Sequence, residues 1–455
     1  MIREDQLLGP LPPDGTLYRE AFSLAWPTVV ESVLVSLVSA FDSMMVGVLG
    51  PEAIAAVGIT VQPRFLFLSV IVALNVGVTA VVARRAGEGD MEGAQKCLRQ
   101  ATALSAIFSI LLATAAILLA KPLLTLAGAG PDIIDDSMAY FRIVNGGLFF
   151  TAVSLTINAA QRGIGNTRIS MITNVSANGV NLVFNYLLIG GNLGFPRLGV
   201  AGAAIATDIG FFVGFLLSLR SVVSRHTHLP IHLRRRIHFD RRTLAGIWKV
   251  GSGSLAEQIF LRIGFLAYAA VVANLGTLVL AAHQISLNIL NLSFAVGDGF
   301  GSATTALVGH SLGQKRSDLA VVNTRVVQRM AFGSSILVFL LFVLGHTQLA
   351  ELFTRDAEVI QMTAVPFMIM AVVTFFQTSA LVLSGCLRGA GDSAFVAFSS
   401  VISVTLVRPG LGFLFCYPLG GGLIGAWFAL LVDQFLRFAF SFGRFLSGRW
   451  KNIRI

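Results

Sequence analysis

RGIGNT at residues 162–167 and RGAGDS at residues 388–393 are one turn written twice, 226 positions apart. Sliding the chain by that distance lays it on itself without a gap from Glu31 onward. Glu31 falls on Glu257, Leu49 and Gly50 on Leu275 and Gly276, Ala55 and Ala56 on Ala281 and Ala282. Thr79 and Ala80 fall on Thr305 and Ala306, Gly87 on Gly313, and Arg99 on Arg325. A repeat of this length makes the chain two copies of one folding unit.

What the unit is follows from its hydropathy. Hydrophobic residues make up 55% of the 455 residues and charged residues 12%, with a mean hydropathy of +0.79. Soluble domains carry roughly 25% charged residues, so this chain cannot cover a water-facing surface and its solvent is largely lipid. A bilayer core takes about 20 consecutive apolar residues per helix. Twelve stretches qualify: 20–48, 54–82, 98–120, 136–160, 169–190, 199–220, 245–273, 278–308, 327–345, 358–386, 394–418 and 423–446. Short alternating segments of the barrel kind are not seen. The expected fold is an all-α integral membrane protein of twelve transmembrane helices, arranged as two pseudo-symmetric six-helix bundles.

Six spans per unit is an even number, so both units insert the same way and form parallel repeats. That arrangement characterises secondary transporters working by alternating access. The expected divisions are a cytoplasmic N-terminal tail (1–16), an N-terminal lobe (17–222), a basic cytoplasmic linker (223–243), a C-terminal lobe (244–446) and a cytoplasmic C-terminal tail (447–455). With twelve spans, 25 of the 33 Lys and Arg lie on the side of the termini. Three (Lys121, Arg197, Arg355) lie opposite and five lie inside spans. Positive charge stays inside, which predicts a multi-pass protein of the cell membrane with both termini cytoplasmic. The net charge of +10 then reflects topology and contact with anionic membrane lipid, not nucleic acid.

Other chemistries find no support. Cys97, Cys386 and Cys416 are too widely spaced for a disulfide framework or a metal pattern. MIREDQLLGPLPPDG at the start lacks the basic, apolar and small-residue segments of a signal peptide. No Walker loop, dinucleotide fingerprint or zinc spacing occurs, so ATP-driven pumping is not supported. No nucleophile–base set or paired catalytic carboxylates is found, so the chain is read as a non-enzyme without a cofactor. The loops ARRAGEGDMEGAQK (83–96) and GHSLGQKRSDLA (309–320) read as solvated turns whose glycines end the preceding helices.

The polar residues inside spans are the site candidates, because each costs at least about 2.5–3.5 kcal/mol on insertion scales and usually faces a cavity or partner. Asp42, in AFDSMMVG (40–47), lies on the first helix. Glu31 precedes it by eleven residues, nearly on the same face and about 16 Å away. Asn181 and Asn185 stand one turn apart on the fifth helix, Thr207 and Asp208 on the sixth, and Asn75 on the second. Carboxylate, amide and hydroxyl oxygens suit Na⁺, while a desolvated carboxylate takes a proton. The Asn pair is equally explained by hydrogen bonding between helices.

In the second unit, AEQIFLRIG (256–264) carries Glu257, Gln258 and Arg262, and AAHQISLN (281–288) carries His283, Gln284 and Asn288. Arg262 is expected to neutralise an acid and His283 to be a hydrogen-bonded histidine. Asp298 is expected to pair with a basic residue, and Asp433 with Arg437 at i to i+4. Pro27 removes a backbone bond and permits a kink in the first helix.

The order of these features resembles the multidrug and toxic compound extrusion (MATE) family of antiporters. The resemblance rests on P-x14-D-S-M-M-V-G-x-L-G from Pro27 to Gly50, AAHQISLN, NLVFNYLLI (181–189) and the twin turns, and covers Trp26 to about Phe445. It implies export of organic cations or other amphipathic compounds in exchange for inward H⁺ or Na⁺; the protein is expected to be a monomer. Asp42 then matches the family's first-helix acid and Asn181 its fifth-helix amide, with a Na⁺ site at Asp42, Asn181 and Asn185. Asn185 stands where many members carry Asp, so this site holds one carboxylate fewer. Members with a seventh-helix acid often place it one turn after Glu257, at the position of Leu261. A flippase of related architecture for a lipid-linked saccharide or other anionic amphiphile is the alternative, with Arg64, Arg142, Arg262 and Arg408 as its basic groups.

Overall fold

A computed structural model describes residues 7–224, 229–230 and 239–453, apart from the side chains of Ala40, Pro51 and Thr277. Residues 1–6 and 454–455 of the expected tails, and 225–228 and 231–238 of the expected linker, lie outside the described residues. Every regular element described is helical. The first repeat contains α1 (Asp14–Gly47), α2 (Pro51–Gly87), α3 (Met91–Leu118), the short α4 (Ala120–Leu126), α5 (Ile134–Gly146), α6 (Leu148–Gly163), α7 (Thr167–Gly190) and α8 (Gly199–Val223). The second contains α9 (Arg241–Ala273), α10 (Thr277–Gly313), α11 (Ser317–Leu344), the short α12 (His346–Glu351), α13 (Ala357–Ala390), α14 (Ser393–Ser400), α15 (Arg408–Cys416) and α16 (Gly422–Ser447). A π-helical segment, Val401–Val407, joins α14 to α15.

Among the described residues ten helices are long and apolar enough to cross a membrane, and eleven when the bent pair α5–α6 counts as one span. The count differs from the twelve expected for two reasons. The predicted span 136–160 breaks by 44° between α5 and α6. There Gly147 lies against the Asp208 carboxylate of α8, which any Cβ at that position would strike. The predicted span 169–190 is a single helix of 24 residues, about 36 Å at 1.5 Å per residue and so long enough. Asn174, Asn178, Asn181 and Asn185 dilute its apolar character.

The chain divides into two compact units, Val33–Trp248 and Lys249–Ile455 together with Met1–Ser32. Both divisions fall inside helices, in α1 and α9. The start of α1 belongs to the second unit for a physical reason. Leu17, Ala21 and Ala25 are buried in one apolar cluster with Phe300, Ala303, Leu307 and Val327, and the Thr28 hydroxyl donates to the Gly299 carbonyl at 2.9 Å. In the first unit the main cluster joins α2, α3 and α6 through Val78, Val82, Leu98 and Ile157. The three cysteines are free and buried.

Local geometry repeats with the sequence. The twin turns place Gly165 and Gly391 in the left-handed region, at φ 84° and 92°, where only glycine rests without a Cβ penalty. The Thr79 hydroxyl donates to the Ala159 carbonyl and the Thr305 hydroxyl to that of Gly385, both at 3.0 Å. One position departs from the rule: Gly89 has φ 78°, and its repeat mate Lys315 holds φ 59° with a side chain attached.

Candidate functional site

In the first unit α7 and α8 pack closely because α8 offers glycines to α7. A Cβ on Gly202 would stand 2.5 Å from the Leu188 carbonyl oxygen, and one on Gly210 2.6 Å from that of Ala177. Small residues of this kind let membrane helices approach backbone to backbone. The close approach brings Asn181 beside Thr207, while α1 supplies Asp42. Asn185 donates through Nδ2 to Asp42 Oδ1 at 2.7 Å.

The Asn181 amide is assigned with its nitrogen toward Asp42, the orientation that gives both its ends partners of the right kind. It then donates to Asp42 Oδ1 and Oδ2 at 2.9 and 3.2 Å, and its oxygen accepts from the Thr207 amide and hydroxyl at 3.1 and 3.2 Å. The Thr207 hydroxyl also donates to the Ala203 carbonyl at 2.9 Å, and Tyr140 on α5 packs against the neighbouring apolar cluster of Val46, Ile189, Val200 and Ala203. Asn181 and Asn185 are 5% and 1% exposed, and Asp42 is half-buried. Asn185 Oδ1 is buried without a hydrogen-bond partner among the described residues. One carboxylate, two buried amides and a hydroxyl therefore converge, with an acceptor oxygen left over.

The second unit handles its interior acids differently. Glu257, 1% exposed, accepts from Arg388 Nη2 at 2.8 and 2.6 Å. It also accepts from Arg437 Nη2 at 2.9 Å and from the Ser400 hydroxyl at 3.2 Å. Asp433 accepts from Arg408 Nε at 2.7 Å, from Arg408 Nη2, and from Gln434 Nε2 at 3.2 Å. The Arg408 guanidinium lies over the Phe265 and Tyr268 rings, 5.2 and 5.7 Å from their centroids. Asp433 thus pairs across helices with Arg408, and Arg437 reaches Glu257, in place of the i to i+4 pair expected. A buried pair offsets its desolvation only with good geometry and additional hydrogen bonds, and Arg408 gives Asp433 two of them. His283 is 2% exposed and sits 5.5 Å from both the Tyr268 and Trp427 rings. Neither of its ring nitrogens has a hydrogen-bond partner among the described residues, unlike the expected bonded histidine.

The profile of the MatE family matches residues 27–187 and again 254–414. The chain belongs to the MatE family. Its two matches fall one in each repeat. Among its relatives, a probable multidrug resistance protein NorM of Thermotoga maritima is 28% identical over 438 residues, spanning 95% of this chain and 93% of that one. The multidrug resistance protein PmpM of Pseudomonas aeruginosa is 28% identical over 407 residues, 88% and 84% of the two chains. The fold matches an outward-facing multidrug resistance MATE family transporter with a TM-score of 0.90 at 23% identity, covering 98% of this chain and all of that one. MatE members are transporters and not enzymes, and this one is a multi-pass membrane protein.

Within this MatE fold the remaining expected site residues scatter. Thr207 belongs to the Asp42 cluster. Glu31 lies in the Met1–Ser32 segment, counted with the other unit. Asn75 accepts from the Thr156 hydroxyl at 2.8 Å, tying α2 to α6. Asp208 faces the Gly147 break. Gln258 is half-buried, and Gln284 and Asn288 are exposed on α10. Pro27 is buried, and α1 runs through it as one helix of 34 residues. Arg64 lies 5.5 Å from the Phe211 centroid and Arg262 6.0 Å from that of Phe265.

Sequence reasoning missed the partners of Glu257. Arg388 stands in RGAGDS and Glu257 in AEQIF, and their mates Arg162 and Glu31 hold the same places in the first repeat, but sequence spacing alone does not bring an acid and a base so far apart together. As for a coupling Na⁺, the donor set fits a monovalent ion. Asp42, Thr207 and the spare Asn185 oxygen supply hard oxygen ligands. Outside the membrane, Thr243 donates to Asp240 from its hydroxyl and amide at the start of α9, which holds that carboxyl below its usual range.

Proposed function

We propose that this transporter is an efflux antiporter that exports organic cations or other amphipathic compounds in exchange for inward H⁺ or Na⁺. The single observation that carries the reading is the Asp42 cluster, a carboxylate on the opening helix of a repeat held by two amides and no arginine in its hydrogen-bond set. A monovalent ion and a cationic cargo would compete for that one negative charge, and each would shift the population of states that favours the other's release. The related proteins named for multidrug resistance support the cargo class. Positive charge on the side of the termini supports cytoplasmic ends, and a monomer surrounded by lipid is sufficient for the scheme.

The test is transport of a fluorescent organic cation in proteoliposomes, driven separately by a pH gradient and by a Na⁺ gradient. Asp42→Asn is expected to lower ion-driven transport about 10–100-fold, the scale of a coupling free energy of a few kcal/mol, while leaving the thermal unfolding midpoint nearly unchanged. Undiminished ion-driven transport by the variant would remove the basis of the proposal. The flippase alternative requires arginines available to an anion, and Arg408 is already engaged by Asp433.

A further inference from the structure

The repeat assigns a counterpart to Asp42, Asn181 and Asn185. The displacement of 226 makes Tyr268 the mate of Asp42. The π-helical turn Val401–Val407 adds one residue to the helix, as such turns do. Beyond it the displacement is 227, which matches Asn181 with Arg408 and Asn185 with Gly412.

Contacts agree with this register. Asn185 touches Asp42, and a Cβ on Gly412 would stand 3.3 Å from the Tyr268 ring. α8 and α16 both open at left-handed glycines, Gly199 at φ 57° and Gly422 at φ 50°, which makes Gly210 the mate of Asp433. A Cβ on Gly210 would stand 3.0 Å from Asn181 Cβ, just as Asp433 meets Arg408.

Where the first unit has an acid awaiting a cation, the second has a cation already in place. Its guanidinium lies over two aromatic faces and is paired with a carboxylate. That combination is what recognises a planar, delocalised organic cation. The Arg408 side chain is 7% exposed and that of Asp433 is fully buried. Asp433 keeps a second oxygen, Oδ1, buried without a hydrogen-bond partner among the described residues.

We infer that the interior of the second unit is an organic-cation site occupied by the protein's own guanidinium, so that only the first unit exchanges an ion. The single-exchange clause rests on the antiport reading; the site itself does not. With the Arg408 side chain removed, the site is expected to take guanidinium or a small alkylguanidinium.

The experiment follows thermal unfolding of purified Arg408→Ala in detergent, with guanidinium or methylguanidinium chloride at low millimolar concentration. Controls are NaCl at equal ionic strength and urea, the neutral isostere. The variant is expected to unfold at a lower temperature than wild type. The two guanidinium salts should restore most of that loss saturably, and NaCl and urea should not. Wild type should not respond to any of them. A variant as stable as wild type, or one rescued equally by NaCl, overturns the inference.

If plain buffer yields no folded variant, the same salts are present during extraction from the membrane. Recovery of a monodisperse protein with methylguanidinium and not with NaCl supports the site, and recovery with neither overturns it. None of these readouts requires transport, so they are separate from any failure of the antiport reading. In proteoliposomes wild type is expected to move one coupling ion per cargo, and two would overturn the single-exchange clause.

Discussion

In the first unit Asp42 meets two amides and is half-buried; in the second, Glu257 and Asp433 meet three arginines and are sealed from solvent. Both arrangements offset the cost of placing a carboxylate among apolar helices, but they leave the acid in different chemical states. An amide partner is neutral, so a carboxylate held by Asn181 and Asn185 still lacks a countercharge and can accept one from outside. A guanidinium partner supplies that charge permanently. A buried acid is therefore a poor marker of exchange until its partners are known. What decides is whether the surrounding donors carry charge.

Three substitutions break or sharpen that contrast. The largest effect is expected from Glu257→Ala, which leaves Arg388 and Arg437 buried without their shared carboxylate. Breaking a buried pair in this way costs about 3–5 kcal/mol, read as a steep drop in the unfolding midpoint in detergent. A variant within error of wild type would show that water or Asp298 already neutralises those arginines.

An intermediate effect is expected from Asn185→Asp, which gives the first unit a second carboxylate beside Asp42. Na⁺ dependence of transport should strengthen by about tenfold, near 1.4 kcal/mol, and a Na⁺ titration of cargo export checks it. An unchanged titration would mean that the charge at this position does not reach the ion.

The smallest effect compares the two repeats at a loop. Lys315→Gly removes a side chain from a left-handed residue whose mate is already glycine. It should stabilise by about 0.5–1 kcal/mol, the usual scale of relieving such a residue. Differential thermal unfolding of the two proteins measures it, and destabilisation would show that the Lys315 side chain has a role of its own.

Much of the fold was legible because repeat and hydropathy are properties of sequence spacing. So was the core of the first site, since Asn181 and Asn185 lie one turn apart and Asp42 stands out in an apolar run. The second unit was not legible in the same way. Glu257 is 131 residues from Arg388 and 180 from Arg437, and helix periodicity says nothing about partners at that distance. The i to i+4 spacing of Asp433 and Arg437 pointed to the wrong pairing.

The π-helical turn before Arg408 did leave a trace. Pro409, in the first turn of α15, lacks the N–H that would bond the Thr405 carbonyl, and its ring crowds that carbonyl. Widening the preceding turn relieves the clash and carries Arg408 into the place Asn181 holds in the other repeat. The bend at Gly147 was not legible, because the Asp208 carboxylate that lies against it comes from another helix.

The enclosure of all three thiols has a practical corollary. Cys97 and Cys386 are 0% exposed and Cys416 is 4% exposed, so a maleimide reagent added to the folded protein finds no ready native target. Single reporter cysteines can then be placed beside Asp42 or at the surface of α10 in the natural background. Fluorophore or spin-label signals from them would report on one chosen position, without first stripping the chain of its own sulfur.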